Sequence, residues 1–298
     1  VTSQDLPLLS ASDIRTLADG LDLRPTKTLG QNYVIDPNTI RRIVSTAKLD
    51  ADEHVLEVGP GLGSLTLGLI DQAEAVTAIE IDPPVAAQLP ATIEQWRPGT
   101  AQRLAVLEAD AMHITGEQIV AAAPESADGP PTAIVANLPY NVAVPVMLHL
   151  LAELPSIEHG LVMVQHEVAE RLTAAPGSKI YGVPSVKMAW YANATLAGTI
   201  GTKVFWPAPR ITSGLVHFTA RKPPETTATR QQVFEVIDVG FAQRRKTMRA
   251  ALSTWAGSGA LAEEILVAAE VDPKARGEVL DIADFARIAE QHQARSTA

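Results

Sequence analysis

The residues best suited to chemistry are Asn137-Leu138-Pro139-Tyr140. They follow a short apolar run, Ala133 to Ala136, whose length and β-branched content fit a buried strand. Pro139 holds Leu138 extended and removes one backbone donor, so the chain leaves the strand as a stiff corner. In open α/β sheets, ligands sit just beyond the carboxyl ends of strands. A corner there offers the Asn137 amide oxygen, the Leu138 carbonyl and the Tyr140 ring to a planar group with N–H donors. An exocyclic amine on a nucleobase meets that description. Two acceptors turn its lone pair out of conjugation and towards an electrophile, while the ring stacks on the base. The same residues also suit an ordinary strand end, because Asn and Pro are common in turns.

The elements before this corner define what could share the site. Val55 to Val58 reads as a strand, followed by the loop Gly59-Pro60-Gly61-Leu62-Gly63 and a helix from Ser64 to about Asp71. That order is a mononucleotide-binding α/β unit, in which glycines let backbone approach a ligand and the helix start offers N–H groups. A second strand, Ala75 to Ile79, ends in Glu80. This lies roughly twenty positions beyond Gly59, where an acid can take both hydroxyls of a ribose. A third strand, Leu104 to Leu107, ends in Glu108-Ala109-Asp110-Ala111-Met112, which suits the edge of an adenine ring. The glycine spacing is G-x-G-x-G rather than the dinucleotide G-x-G-x-x-G. Glu57, two positions before Gly59, would repel a phosphate but can orient an amino-acid ammonium. These features favour S-adenosylmethionine over NAD; a glycine turn with no ligand is the other reading.

The rest of the chain reads as scaffold. Asp36-Pro37 caps a helix whose Ile40, Ile43, Val44 and Ala47 share one face. Val146 to Leu154 and His166 to Leu172 read as helices, Leu161 to Val164 as a strand, and Ser178 to Gly182 as a flexible loop. Ala194 to Ile200 and Leu215 to Phe218 form a terminal hairpin joined by Val204 to Arg210, whose prolines keep it out of a central strand. Phe205 closes the second face of a base pocket or belongs to the core. Arg221 to Thr227 is a proline- and threonine-rich linker, after which Gln231–Phe241, Lys246–Trp255, Leu261–Ala269 and Ile282–His292 read as helices. The expected division is an N-terminal extension, 1–22, with one short helix capped by Ser12; an α/β domain, 23–222, that carries the S-adenosylmethionine-type features; and a helical domain, 228–298. The fold class is α/β, a Rossmann-like, mostly parallel sheet with a terminal antiparallel hairpin, plus a small all-α C-terminal domain.

Composition narrows the chemistry. The chain has no cysteine, which removes disulfides, zinc–thiolate sites and thiol catalysis. Its seven histidines do not cluster at ligand spacings, so no metal is expected. A net charge of −10 argues against a nucleic-acid partner. Basic residues nonetheless concentrate in Arg244, Arg245, Lys246 and Arg249, with others at Arg24, Lys27, Arg41 and Arg42. Such a local patch can engage phosphates, or can simply solvate a helix face. There is no secretory signal pattern and no apolar run of bilayer length, so a cytoplasmic protein without a membrane partner is expected.

Together these segments resemble the ribosomal small-subunit adenine dimethyltransferases, the kasugamycin-resistance methylases. The resemblance runs from about Arg24 to Glu290. It is carried by Leu29-Gly30-Gln31-Asn32, Glu57-Val58-Gly59-Pro60-Gly61-Leu62-Gly63, Glu80-Ile81-Asp82, Asp110-Ala111-Met112 and Asn137-Leu138-Pro139-Tyr140-Asn141. Ser178 to Gly182, Phe205-Trp206-Pro207-Ala208-Pro209 through Ser213, and Phe241 to Arg249 add to it. Tyr33 and Val34 stand where that family usually carries phenylalanine and leucine.

The resemblance implies an S-adenosylmethionine site at Asn32, Val34, Gly59, Gly61, Glu80, Asp110 and Asn137, with S-adenosylhomocysteine as product. It implies dimethylation of N6 on two adjacent adenosines near the 3′ end of 16S rRNA, within the immature small subunit, by a monomeric enzyme of ribosome biogenesis. The target base would be extruded from a loop, where unpaired bases leave their stack at least cost. Asn137, Leu138, Tyr140 and Phe205 would grip it, the two rings sandwiching the adenine at about 1–3 kcal/mol of stacking per base. Arg221, Lys222, Arg244, Arg245, Lys246 and Arg249 would hold RNA phosphates. Neither a nucleophilic side chain nor a metal is required, because a sulfonium methyl is already activated. Alternatives are a 23S rRNA adenine methylase of the macrolide-resistance type and an assembly-checkpoint RNA-binding protein. An NAD-dependent oxidoreductase would need a hydride-relay residue for which the sequence offers no candidate.

Overall fold

A computed structural model describes residues 6–23 and 32–296. Leu29, Gly30 and Gln31 of the first motif, and Arg24 and Lys27, lie outside the described residues. The chain forms two compact units, one drawn from Val1–Ala169 and Thr195–Ala220, the other from Glu170–Ala194 and Arg221–Ala298.

The first unit opens with α1 (Ala11–Gly20). Its N-cap is Ser10, not Ser12: the Ser10 hydroxyl accepts from the Asp13 N–H and the Asp13 carboxylate accepts from the Ser10 N–H, closing a capping box. Leu8, Leu9, Ile14 and Ala18 are buried in the main hydrophobic cluster, so the segment read as an extension contributes to the core. After β1 (Tyr33–Val34), Asp36 caps α2 (Pro37–Ala47), accepting from the Thr39 N–H at 2.9 Å. Ile40, Ile43, Val44 and Ala47 are buried along one face, as their spacing requires.

There follow β2 (His54–Val58), α3 (Ser64–Ile70), β3 (Ala75–Glu80), α4 (Pro83–Trp96), β4 (Leu104–Glu108), α5 (Gly116–Ala121), β5 (Ala133–Asn137), α6 (Ala143–Glu153) and β6 (His159–Gln165). Later come β7 (Ala192–Ile200), β8 (Phe205–Trp206) and β9 (Ser213–Ala220). Seven strands form a sheet in the order β4-β3-β2-β5-β6-β9-β7. β4, β3, β2, β5 and β6 run parallel, and β9 is antiparallel to β6. β2, β3 and most of β5 are fully buried, which is why they read as unbroken apolar runs rather than alternating ones. The strand order reverses between β2 and β5, and the carboxyl ends on either side of that switch point are where α/β sheets bind ligands. A separate two-stranded sheet pairs β1 with β8, placing Val34 opposite Phe205.

The second unit contains α7 (His166–Leu172) from Glu170 onward, α8 (Val183–Tyr191), α9 (Arg230–Ala242), α10 (Met248–Leu252), α11 (Gly259–Ala268) and α12 (Ile282–Ser296). Its core gathers Tyr181, Val186 and Trp190 with Val236, Ile237, Leu266 and Phe285. Ser178 to Gly182 is tied into that core: Tyr181 is buried and its hydroxyl donates to the Leu280 carbonyl at 2.8 Å. No helix among the described residues is long and apolar enough to cross a membrane.

Candidate functional site

The parallel strands β2 to β5 bring four acidic or amide residues to one edge of the sheet. Beyond them lies a cavity of about 220 Å³. Glu57 and the glycine loop come from the end of β2, Ile79 to Ile81 from β3, and Ala109 to Met112 from the segment after β4. Asn137, Pro139, Asn141 and Val142 come from the end of β5, while Asn32, Tyr33 and Val34 supply a further wall. All seven residues assigned to the cofactor from sequence, Asn32, Val34, Gly59, Gly61, Glu80, Asp110 and Asn137, therefore line one cavity, wholly within the first unit.

Backbone donors hold the strand-end acids in place. Glu80 accepts from the Gly61 N–H at 3.1 Å and from the Asp82 N–H at 3.0 Å. Burial raises its pKa, and these N–H groups pull it back. Gly61 has φ +55°, and a Cβ there would lie 2.7 Å from the Tyr33 ring, so only glycine leaves both the turn and the ring undisturbed. Asp110 accepts from the Met112 N–H at 2.8 Å, and its second oxygen lies 2.9 Å from His113 Nδ1. The Met112 bond first, and His113 second, hold this carboxyl below the usual carboxylate range.

Glu57 behaves differently. It is 1% exposed, and its Oε2 has no hydrogen-bond partner among the described residues. Burial, reinforced by the nearby Glu80 charge and opposed by the Thr66 hydroxyl, pushes its pKa up to about 8. The Tyr33 and Ser64 hydroxyls are likewise buried without a partner on the wall of the same cavity. Unsatisfied buried polar atoms are costly and scarce, and three around one cavity fit a polar ligand that completes them. A nucleoside carrying an amino-acid tail suits that donor set better than a phosphate-bearing dinucleotide, because all three acidic side chains on the wall, Glu57, Glu80 and Asp110, become unfavourable neighbours of a phosphate once ionised.

At the corner, the Leu138 N–H donates to the Met163 carbonyl at 3.0 Å and the Val142 N–H to the Pro139 carbonyl at 3.2 Å. Asn137 Nδ2 donates to the Asn32 carbonyl at 3.1 Å, which fixes the amide and leaves Oδ1 available as an acceptor. The residues meant to grip a base are placed less uniformly. Leu138 is buried and Tyr140 half-buried, its hydroxyl 2.6 Å from Ser213 Oγ; neither side chain forms the cavity wall. Phe205 is not brought to the cavity. It is 3% exposed in the main core, because pairing with β1 turns it inward and leaves Trp206 stacked on Tyr33 at 6.3 Å. A stacking role would require that ring to leave the core.

Arg221, Lys222, Arg244, Arg245, Lys246 and Arg249 are all exposed, in the second unit. Arg244 pairs with Glu278 at 3.3 Å and donates to the Lys179 carbonyl, and Arg249 pairs with Glu263 at 2.6 Å. Among the described residues no cluster of three or more His, Cys, Asp or Glu could hold a metal ion. Tyr33, Ser64, Ile81 and Val142 also line the cavity and have no ligand role assigned from the sequence. Ile81 carries a local signal, being an apolar residue just past a strand-end acid; the places of Tyr33 and Ser64 depend on packing.

A family model for ribosomal RNA adenine dimethylases matches residues 23–292. A ribosomal RNA small subunit methyltransferase A from Arthrobacter sp. (strain FB24) is 65% identical over 288 residues, spanning 97% of this chain and 94% of its own length. Its counterpart from Thermobifida fusca (strain YX) is 60% identical, with 97% of each chain covered. Among solved structures, a dimethyladenosine transferase from Plasmodium falciparum matches with a TM-score of 0.68 at 20% identity, covering 85% of this chain and 94% of its own. The 23S rRNA methyltransferase ErmE matches at 0.61 and 24%, covering 88% and 100%. These two likenesses concern the fold.

Proposed function

This chain belongs to the ribosomal RNA adenine dimethylase family, and from that premise we propose that it dimethylates N6 of two adjacent adenosines near the 3′ end of 16S rRNA, acting on the immature small subunit with S-adenosylmethionine as methyl donor. The observation that carries this reading is the convergence of Glu57, Glu80, Asp110 and an oriented Asn137 on a single cavity. Glu80 would take the ribose hydroxyls, Asp110 the adenine amine, and Glu57 with the Tyr33 and Ser64 hydroxyls the amino-acid end. The donor supplies a methyl group already activated by its sulfonium.

The protein's part is alignment. In the first transfer Asn137 Oδ1, oriented by the bond from its own Nδ2 to the Asn32 carbonyl, accepts one N–H of the target amine and the Leu138 carbonyl accepts the other. The lone pair is then directed away from the ring, and this positioning supplies most of the rate. The methylated nitrogen loses a proton to water, so that one N–H remains for the second transfer. Tyr140 stacks on the extruded base. The exposed cations of the second unit engage phosphates, and the overall charge of −10 keeps that attraction local.

Incubating the protein and S-adenosylmethionine with immature small subunits and, in parallel, with 23S rRNA tests the substrate. Mass analysis should find methylated adenosines in 16S rRNA only. Modification confined to 23S rRNA would refute the small-subunit reading.

A further inference from the structure

We propose that Ser213 is a positioning residue for the target base, acting through Tyr140; the inference rests on the reading that Tyr140 stacks on that base. Ser213 opens β9 and is fully buried, with its backbone paired to Gln165 of β6. Its hydroxyl lies 2.6 Å from the Tyr140 hydroxyl, a short bond in a desolvated setting. Burial raises the Tyr140 pKa, so the phenol keeps its proton and can donate.

The ring is therefore held at both ends. Its Cα end is fixed by the Leu138 N–H bond to Met163 and by the Pro139–Val142 turn, and its far end by Ser213. Two torsions that would otherwise be ordered only when a base arrives are set beforehand, and ordering a ring on binding costs affinity. Ser213 also follows the β8–β9 connection directly, and the Thr212 carbonyl accepts the His166 N–H at 3.0 Å, so the anchor belongs to the sheet rather than to a loose loop.

The test is a double-mutant cycle of Ser213→Ala and Tyr140→Phe, reading RNA KM, kcat, S-adenosylmethionine affinity by calorimetry, and thermal midpoint. One net hydrogen bond corresponds to an effect of about threefold to tenfold. Ser213→Ala should raise the RNA KM by that factor with kcat and cofactor affinity within about twofold, Tyr140→Phe should raise the RNA KM by the same factor with cofactor affinity unchanged, and the double variant should be no worse than either single one. Ser213→Thr, which keeps a hydroxyl, should restore KM if its thermal midpoint matches the parent. Additive losses, or a Ser213→Ala loss shared equally by cofactor affinity, would overturn the inference and mark Ser213 as merely structural. If the parent protein binds S-adenosylmethionine but methylates no adenosine, the functional reading itself falls, and this inference with it.

Discussion

Glu57 provides the sharpest physical prediction. Its carboxyl is 1% exposed, with one oxygen unpartnered among the described residues, and its pKa is pushed up to about 8 against an ordinary 4.5. The folded state therefore holds a proton that the unfolded chain releases. By linkage, stability is full below about pH 4.5 and falls as pH rises through about 8. At about 1.4 kcal/mol per pH unit, the gap corresponds to roughly 5 kcal/mol as an upper bound in the ligand-free protein. Replacing the group by a neutral amide of the same shape, Glu57→Gln, removes the ionisation. Urea unfolding of the ligand-free parent and variant should give similar midpoints near pH 5, and the variant should become the more stable as pH is raised to 8. The same variant should bind S-adenosylmethionine more weakly, because the ammonium loses its counter-charge. Parallel stability curves for parent and variant across that range would refute the assignment of an uncompensated buried acid at the cavity wall.

Other outcomes follow from particular contacts. Arg97 and Asp71 form a bidentate pair at 2.6 and 2.7 Å with both side chains under a tenth exposed, so Arg97→Ala should cost about 3–5 kcal/mol in urea unfolding by leaving a buried carboxylate unpaired. Gly61→Ala should weaken S-adenosylmethionine binding measured by calorimetry, since its Cβ meets the Tyr33 ring at 2.7 Å. Arg245→Ala should lower RNA affinity and reduce the slope of log affinity against log salt by about one, with cofactor affinity unchanged.

How much was legible depended on the range of the forces involved. The run Ala133 to Ala136 announced β5, and the acids at 80 and 110 announced the strand ends, because parallel strands are buried on both faces and their polar residues gather at the tips. The apolar spacing of α2 and its Asp36 cap were equally local. By contrast, β1 and β8 have two residues each, too short for any period, and their pairing is what carries Phe205 into the core. α4 runs unbroken through Pro90, a residue that argues locally against a helix, and α8 follows a stretch that reads as loop. Residues 170–194 join the helical unit through contacts distant in sequence, with Tyr181 reaching Leu280, and no boundary signal at 170 announces it. Likewise, the Asn137 amide owes its orientation to a carbonyl 105 residues earlier.

Whether the oriented amide of Asn137 presents the target amine for methyl transfer is decided by single-turnover methylation of immature small subunits with Asn137→Ala. Methyl groups are counted by mass on the two adjacent adenosines while RNA and cofactor binding are measured alongside. Methyl incorporation should be abolished, with RNA affinity within about twofold, a difference of less than about 0.5 kcal/mol. Methylation at the parent's rate by the alanine variant would remove Asn137 from the transfer step.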